Sequence, residues 1–401
     1  MTDLFYPLEA LREGHWFKLI CGASYQHLPA VHSLALAYTL AGADCIDVAA
    51  DPAVIFVAKS AIALASKFSD KARQRGYLYR GSPWLMVSFN DGEDPHFRKA
   101  EFDPLHCPSD CQRPCELICP AQAITVDSIQ AGIGVVSDRC YGCGRCLPVC
   151  PIQNITTRSH IFSAEEIAAL VLPNGVDAIE IHTQVERLNE FKKLWQAIAP
   201  WVHQLKLIAI SCPDAEGLIE YLWALYDVIA PLPCPLVWQL DGRPMSGDIG
   251  AGTTHATIRL GQKVLTAGLP GYLQLAGGTN HYTVPKLQAL GLLKPTVSPS
   301  YELAHPSLTP VAAIAGVAYG SYARSLLLPI LNKLETLEMA ALSDQRSPTL
   351  THGDQLTGVV DRPLQLETAP ELLWQAVDLA HSLIAPLKSA FVQPSRPASH
   401  V

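Results

Sequence analysis

Eight cysteines crowded between Cys107 and Cys150 constrain this chain more than any other feature. The second four, Cys140, Cys143, Cys146 and Cys150, are followed by Pro151 and form C-x2-C-x2-C-x3-C-P. In that run, closely spaced thiolates wrap an iron–sulfur cluster. The first four, Cys107, Cys111, Cys115 and Cys119, end in the same C-x3-C-P through Pro120 but open with uniform gaps of three. Where two such runs cooperate, the fourth cysteine of each ligates the other cluster. The expected ligand sets are therefore Cys140, Cys143 and Cys146 with Cys119, and Cys107, Cys111 and Cys115 with Cys150.

The first run also contains Cys107-x7-Cys115-x3-Cys119-Pro120, a spacing similar to that of ferredoxins carrying one three-iron and one four-iron cluster. Cys111 is then the ligand in question. The expectation is one 4Fe-4S cluster and a second in 4Fe-4S or 3Fe-4S form. Zinc is the alternative occupant of C-x2-C pairs, but zinc sites separate such pairs widely and do not call for C-x2-C-x2-C or a repeated C-P. Between the runs, Ile124 to Val126 and Ile133 to Val136 are β-prone stretches joined through Gly132, a hairpin pattern.

Composition decides what surrounds this module. Hydrophobic residues make up 49% of the 401 and charged residues 16%, against a usual charged share of about 25%, so much of the chain is interior. A net charge of −8 with no Lys/Arg cluster gives no surface for nucleic acid. Met1 to Ala10 lacks a basic region before an apolar run, so the expected location is the cytoplasm. The longest apolar run, Val311 to Leu331, is broken by Gly316, Gly320, Arg324 and Pro329; it reads as a strand and a helix rather than a membrane span. Cys21, Cys45, Cys212 and Cys234 stand in apolar stretches and read as buried small hydrophobes.

Outside the module, strands and helices alternate. Strands are expected at Trp16 to Cys21, Asp44 to Ala49, Trp84 to Phe89, Ala178 to His182, Leu205 to Ile210, Pro235 to Leu240, Tyr272 to Ala276 and Val311 to Ile314. Helices follow them, one opened by Pro52 and another by the capping box of Ser163 and Glu166. Strands this apolar, without polar alternation, indicate a closed TIM-like (β/α)8 barrel buried on both faces. An open doubly wound α/β sheet is the alternative. Residues 1–93 and 161–342 would form the barrel and 94–160 an inserted two-cluster ferredoxin-like module. Residues 343–366 would be a linker, and 367–401 a last amphipathic helix and tail.

An insertion after the third strand stands at the catalytic face, where strand C-termini gather. At that face Gly277 and Gly278 follow one strand and Gly316 and Gly320 another, with Arg324 nearby. Backbone N–H groups in such turns can hold a phosphate, and barrels that bind flavin mononucleotide place its phosphate there. Lys18, Asp47, Glu180, His182, Gln239 and Asp241 lie in or after strands. They would line a pocket or hydrogen-bond within the barrel.

The stretches LREGHWFKLICGAS (Leu11 to Ser24) and LQLAGGTN (Leu273 to Asn280), with the two cysteine runs, resemble the light-dependent period family of cyanobacteria. The resemblance implies an iron–sulfur protein that conveys cellular redox state, as a proxy for light, to the circadian clock. Its implied partners are clock input components such as a sensor histidine kinase and the clock's core proteins. A redox sensor is thus expected ahead of the alternative, a flavin-dependent oxidoreductase with FMN in the barrel mouth and a quinone or similar redox partner.

Overall fold

A computed structural model describes residues 6–22, 27–92, 96–119, 123–124, 134–136, 139–140, 146–243, 250, 252–293, 313–344 and 365–389. In chain order the elements begin with α1 (Tyr6–Glu13), β1 (Trp16–Gly22), α2 (Leu28–Ala41), β2 (Cys45–Ala49), α3 (Pro52–Ala65), α4 (Ser69–Gln74) and β3 (Trp84–Asn90). Then follow β4 (His96–Glu101), α5 (Pro114–Ile118), β5 (Thr156–Ile161), α6 (Ala164–Val171), β6 (Ala178–His182), α7 (Leu188–Ile198), β7 (Leu207–Pro213) and α8 (Leu218–Ile229). The chain closes with β8 (Leu236–Asp241), α9 (Thr253–Leu265), β9 (Tyr272–Ala276), α10 (Thr283–Ala289), β10 (Ile314–Tyr319), α11 (Ser321–Asp344) and α12 (Pro370–Ser389).

Eight parallel strands close into a barrel in the order β1-β10-β9-β8-β7-β6-β3-β2. The protein is a TIM-like (β/α)8 barrel, and the open-sheet alternative falls because β1 pairs with both β2 and β10. Between β3 and α6 the chain leaves the barrel. The antiparallel ribbon of β4 and β5, in register from His96 opposite Ile161 to Glu101 opposite Thr156, is the stem of the cysteine module. Chain order alone does not announce this ribbon, whose HFRKAE and TTRSHI carry little apolar signal.

Two cores result from the pleat. Outward side chains such as Phe17, Leu19, Ile46, Val87, Ile179, Ile210, Trp238 and Leu275 pack against the helices. Inward ones at the N-terminal end, Trp16, Cys45, Trp84, Met86, Ala178, Leu207, Ala209 and Val237, form a second core with Ala10 and Leu11 of α1. The four cysteines outside the module are buried, as their surroundings suggest.

Two expectations about the strands need correction. Seven inward positions that follow this lower core are polar: Lys18, Asp47, Ser88, Glu180, Ser211, Gln239 and Gln274. The strands therefore do alternate, but each carries a single buried polar residue among apolar neighbours, too sparse to break the apolar run. The last strand is Ile314–Tyr319 rather than Val311 to Ile314. Gly316 is consequently inside the barrel wall, paired with Trp16 and Gln274, and not in a phosphate-binding turn. A Cβ there would stand 2.3 Å from the Trp16 carbonyl oxygen, so the glycine makes room for the indole.

Helix α6 opens with the expected capping box: Ser163 and Glu166 each accept from the other's backbone N–H. Helix α12 is part of the fold. Leu373, Val377, Ala380, Ile384 and Leu387 enter the outer core, and Lys388 contacts both carboxylate oxygens of buried Asp44 at 2.5 and 2.6 Å. Pro52–Gln74 is long and apolar enough by composition to cross a membrane; its α3 part packs Ala53, Val54, Ala58 and Ala61 into the outer core. Of the linker expected at 343–366, residues 345–364 lie outside the described residues, as do those from 390 onward.

Candidate iron–sulfur centre and barrel mouth

The module has its own small core. Cys115, Cys140, Cys146 and Cys150 are buried with Ala100, Phe102, Ala123, Ile124 and Ile155, and Cys107 and Cys119 pack against them. Ile124 and Val135 form an antiparallel bridge, which agrees with the hairpin expected between the runs; 125–133 lie outside the described residues, as do Pro120 and Cys143. Tight turns deliver the thiols: the N–H groups of Cys107, Cys111, Cys119 and Cys150 each donate to the carbonyl three residues earlier.

A repeat that sequence reasoning missed relates the two halves. Cys119-Pro-Ala-Gln-Ala123-Ile124 matches Cys150-Pro-Ile-Gln-Asn154-Ile155. In both, the N–H four residues after the cysteine donates to its sulfur, Ala123 to Cys119 at 3.2 Å and Asn154 to Cys150 at 3.3 Å, and the following isoleucine is buried. The halves are thus pseudo-symmetric, the condition for exchanging fourth ligands. The thiol of Cys107 is raised by burial and then by neighbouring Cys111 and Cys150. Burial also raises Cys115, with Cys150 among the neighbours contributing. Cys150 of the second run is thus near enough to Cys107 and Cys115 of the first to act on both thiols.

This donor set fits an iron–sulfur cluster. Thiols held by turns in an apolar pocket, with amide N–H groups aimed at sulfur, are the ligation that such clusters use. Among the described residues no three His, Cys, Asp or Glu side chains converge as for a single metal ion. Ligands to a cluster need not converge, because each binds a different iron around an inorganic cage.

Inside the barrel one connected polar network runs towards the C-terminal mouth. Trp16 Nε1 donates to Gln274 Oε1 at 2.6 Å, Gln274 Nε2 to Gln239 Oε1 at 2.6 Å, and Gln239 Nε2 to Glu180 Oε1 at 2.7 Å. Fully buried Lys18 donates to Glu180 and stands 3.0 Å from Asp47 Oδ2, whose Oδ1 accepts from Ser88 at 2.8 Å. Burial alone would depress the Lys18 ammonium, but Asp47 and Glu180 outweigh it and hold its pKa above the ordinary value. The two carboxylates thus favour the charged form of Lys18. Sequence reasoning singled out Lys18, Asp47, Glu180, His182, Gln239 and Asp241, and all six belong to this region. It missed Trp16, Ser88, Ser211 and Gln274; the usable signal was a lone polar residue at the inward phase of an apolar strand, as in YLQLA.

At the mouth, His182 Nε2 lies 3.2 Å from Glu180 Oε1, and Asp241 accepts from Ser211. Burial pushes the Asp241 carboxyl from 3.8 up to about 6, although His182 pulls the other way. A carboxyl raised on folding contributes stability while protonated: the contribution is complete below about pH 4 and is lost as pH rises through about 6. The rise corresponds to at most ~3 kcal/mol, and partial exposure brings it to on the order of 1 kcal/mol. Asp241→Asn is expected to remove this slope and to be the more stable form at pH 7, as read by urea unfolding across pH.

The glycine turns are tied to neighbouring helices. Gly277 and Gly278 have positive φ, +57° and +88°, and their carbonyls accept from Thr257 and Thr253 of α9. Gly320 precedes α11, and Arg324 donates to the Ile20 carbonyl at 3.0 Å and to Ser321 Oγ at 3.1 Å. The structure brings Gly277, Gly278, Gly320 and Arg324 to the C-terminal end of the strands and leaves Gly316 within the wall.

With the geometry established, comparison with known proteins is decisive. The chain is 49% identical over 385 residues to "Light dependent period A" of Synechococcus elongatus, covering 96% of this chain and 94% of that one. It belongs to the light dependent period A family. Residues 107–161 match the LdpA Fe-S cluster-binding domain of that family, and 170–386 its C-terminal domain. The cluster-binding match starts at Cys107 and ends at Ile161, the last residue of β5, so it spans the thiol core and the returning strand of its stem. Among solved structures, a protein described as a fructose-1,6-biphosphate aldolase from Coccidioides immitis aligns over 96% of this chain and 92% of its own at 9% identity, with a TM-score of 0.36. An Aquifex aeolicus protein aligns over 95% and 96% at 9% identity, with a TM-score of 0.28. Neither likeness is needed for the barrel, which rests on its own strand register.

Proposed function

We propose that this protein is an iron–sulfur redox sensor that conveys cellular redox state, set by light, to a circadian clock. The observation that carries this reading is the single apolar core that holds thiols of both cysteine runs, with Cys150 of the second acting on Cys107 and Cys115 of the first. Bound clusters would supply one-electron storage. Cys140, Cys143 and Cys146 with Cys119 would hold one, a 4Fe-4S cluster, and Cys107, Cys111 and Cys115 with Cys150 the other, in 4Fe-4S or 3Fe-4S form. Turns of the chain orient the sulfurs, and amide N–H groups stabilise their charge.

The second thiol set is the surface-facing one. Cys107 and Cys111 are partly exposed, and Leu105, Leu117 and Ile152 beside this run are 85%, 65% and 44% exposed. A unit change of charge at such a surface is worth about 1 to 4 kcal/mol at short range, enough to shift a loop equilibrium severalfold. Clock input and core proteins of the cytoplasm are the proposed readers. Partner binding is expected to differ between oxidised and dithionite-reduced protein, and to lose that difference in the Cys107→Ser/Cys115→Ser double variant. Equal binding in both states would sink the sensor.

A second reading, a flavin-dependent oxidoreductase, draws on the Asp241 carboxyl, which burial raises, and on the polar side chains beside it at the mouth. Stoichiometric FMN in the absorbance spectrum, with turnover of a quinone or nicotinamide, would establish it.

A further inference from the structure

Strand β4 meets the module at one cysteine and the barrel at one aspartate. The Ala100 N–H donates to Cys140 Sγ at 3.3 Å. The adjacent Lys99, 8% exposed, donates from Nζ to the Cys140 carbonyl at 2.9 Å. The same Nζ lies 3.8 Å from Asp51 Oδ2. Asp51 closes the turn after β2 and caps α3, its Oδ1 accepting from Ala53 N–H at 2.7 Å. One buried ammonium thus joins the main chain of a cluster cysteine to the carboxylate that follows β2.

The other thiol set has a different electrostatic setting. Charges that act on it are Arg113, on Cys107, and Glu116, on Cys115. The two carry opposite signs and both are more exposed than Lys99, so they cancel in part and are screened. Reduction adds one electron, hence one negative charge, and a cation or an N–H donor to sulfur stabilises that charge most where water is excluded.

We infer that Lys99 and Ala100 raise the reduction potential of the cluster held by Cys140, the site beside the barrel. The inference rests on the ligand assignment proposed above. The step takes one electron from a one-electron donor, dithionite in the test below; no bond forms or breaks. Lys99 is a positioning residue: it favours added negative charge at the Cys140 site, and it links that site to Asp51 and the start of α3.

The test is a dithionite titration of the full chain followed by electron paramagnetic resonance, with iron and acid-labile sulfide measured on every sample. Cys150→Ser, expected to keep only the Cys140 cluster, assigns the waves. Lys99→Met should move the Cys140 wave to lower potential and leave the other in place, Lys99→Arg should restore it, and Asp51→Asn, which keeps the cap, should move it to higher potential. Lys99→Met that shifts neither wave, or both equally, overturns the inference, as does loss of one cluster's iron in that variant, because Lys99 would then hold structure rather than tune potential. Wild-type protein without iron and sulfide would overturn the iron–sulfur reading itself, a separate result.

Discussion

Cys150→Ser is expected to remove the cluster of the other cysteine run, not of its own. Iron should fall from about seven to eight per chain to about four, and the surviving signal should belong to Cys140, Cys143, Cys146 and Cys119. The reason is placement: Cys150 acts electrostatically on Cys107 and Cys115, while its own run holds Cys140 under the N–H of Ala100. Cys119→Ser should do the reverse, since the matching Cys119 and Cys150 segments are related by the module's internal repeat. Cys111→Ala should leave a three-iron signal. Retention of the first-run cluster in Cys150→Ser, with loss of the second, would show that each run ligates its own cluster.

Lys18→Met is expected to cost about 3–5 kcal/mol, the penalty for leaving buried charge without its partner. Total stabilities are about 5–15 kcal/mol, so this variant should unfold at much lower urea. The lysine sits between Asp47 and Glu180 with no exposure, and methionine keeps its bulk while removing the charge. Glu180→Gln added to Lys18→Met should recover part of the loss, because the amide can still take the hydrogen bond from Gln239 that Glu180 accepts. A loss under about 1 kcal/mol in the single variant would mean that the carboxylates protonate instead. Such an outcome would also change the pH slope assigned to Asp241, whose carboxyl is raised partly by Glu180.

Local rules carried the sequence reading a long way. Cysteine spacing identified the cluster module because short turns, such as those at Cys107, Cys111, Cys119 and Cys150, are set within a few residues, and the ligand type follows from the thiols themselves. The strands at Trp16, Ala178 and Tyr272 and the capping box at Ser163 were legible for the same reason: propensity and capping act within a few residues. The eightfold alternation of strand and helix then selected a closed barrel.

What only the tertiary structure decided involves partners distant in sequence. Gly316 reads as a turn residue until Trp16 is seen to occupy the space a side chain would need. Lys18 reads as a pocket lining until Asp47 and Glu180 close around it, and Gln274 has no visible role until Trp16 and Gln239 bracket it. Lys99 gives no signal at all, because the polar ribbon that carries it gains meaning only when Cys140 and Asp51 meet it. A buried charge or a missing Cβ is explained by what packs against it, and those neighbours are set by closure of the barrel and pairing of the stem rather than by adjacent residues.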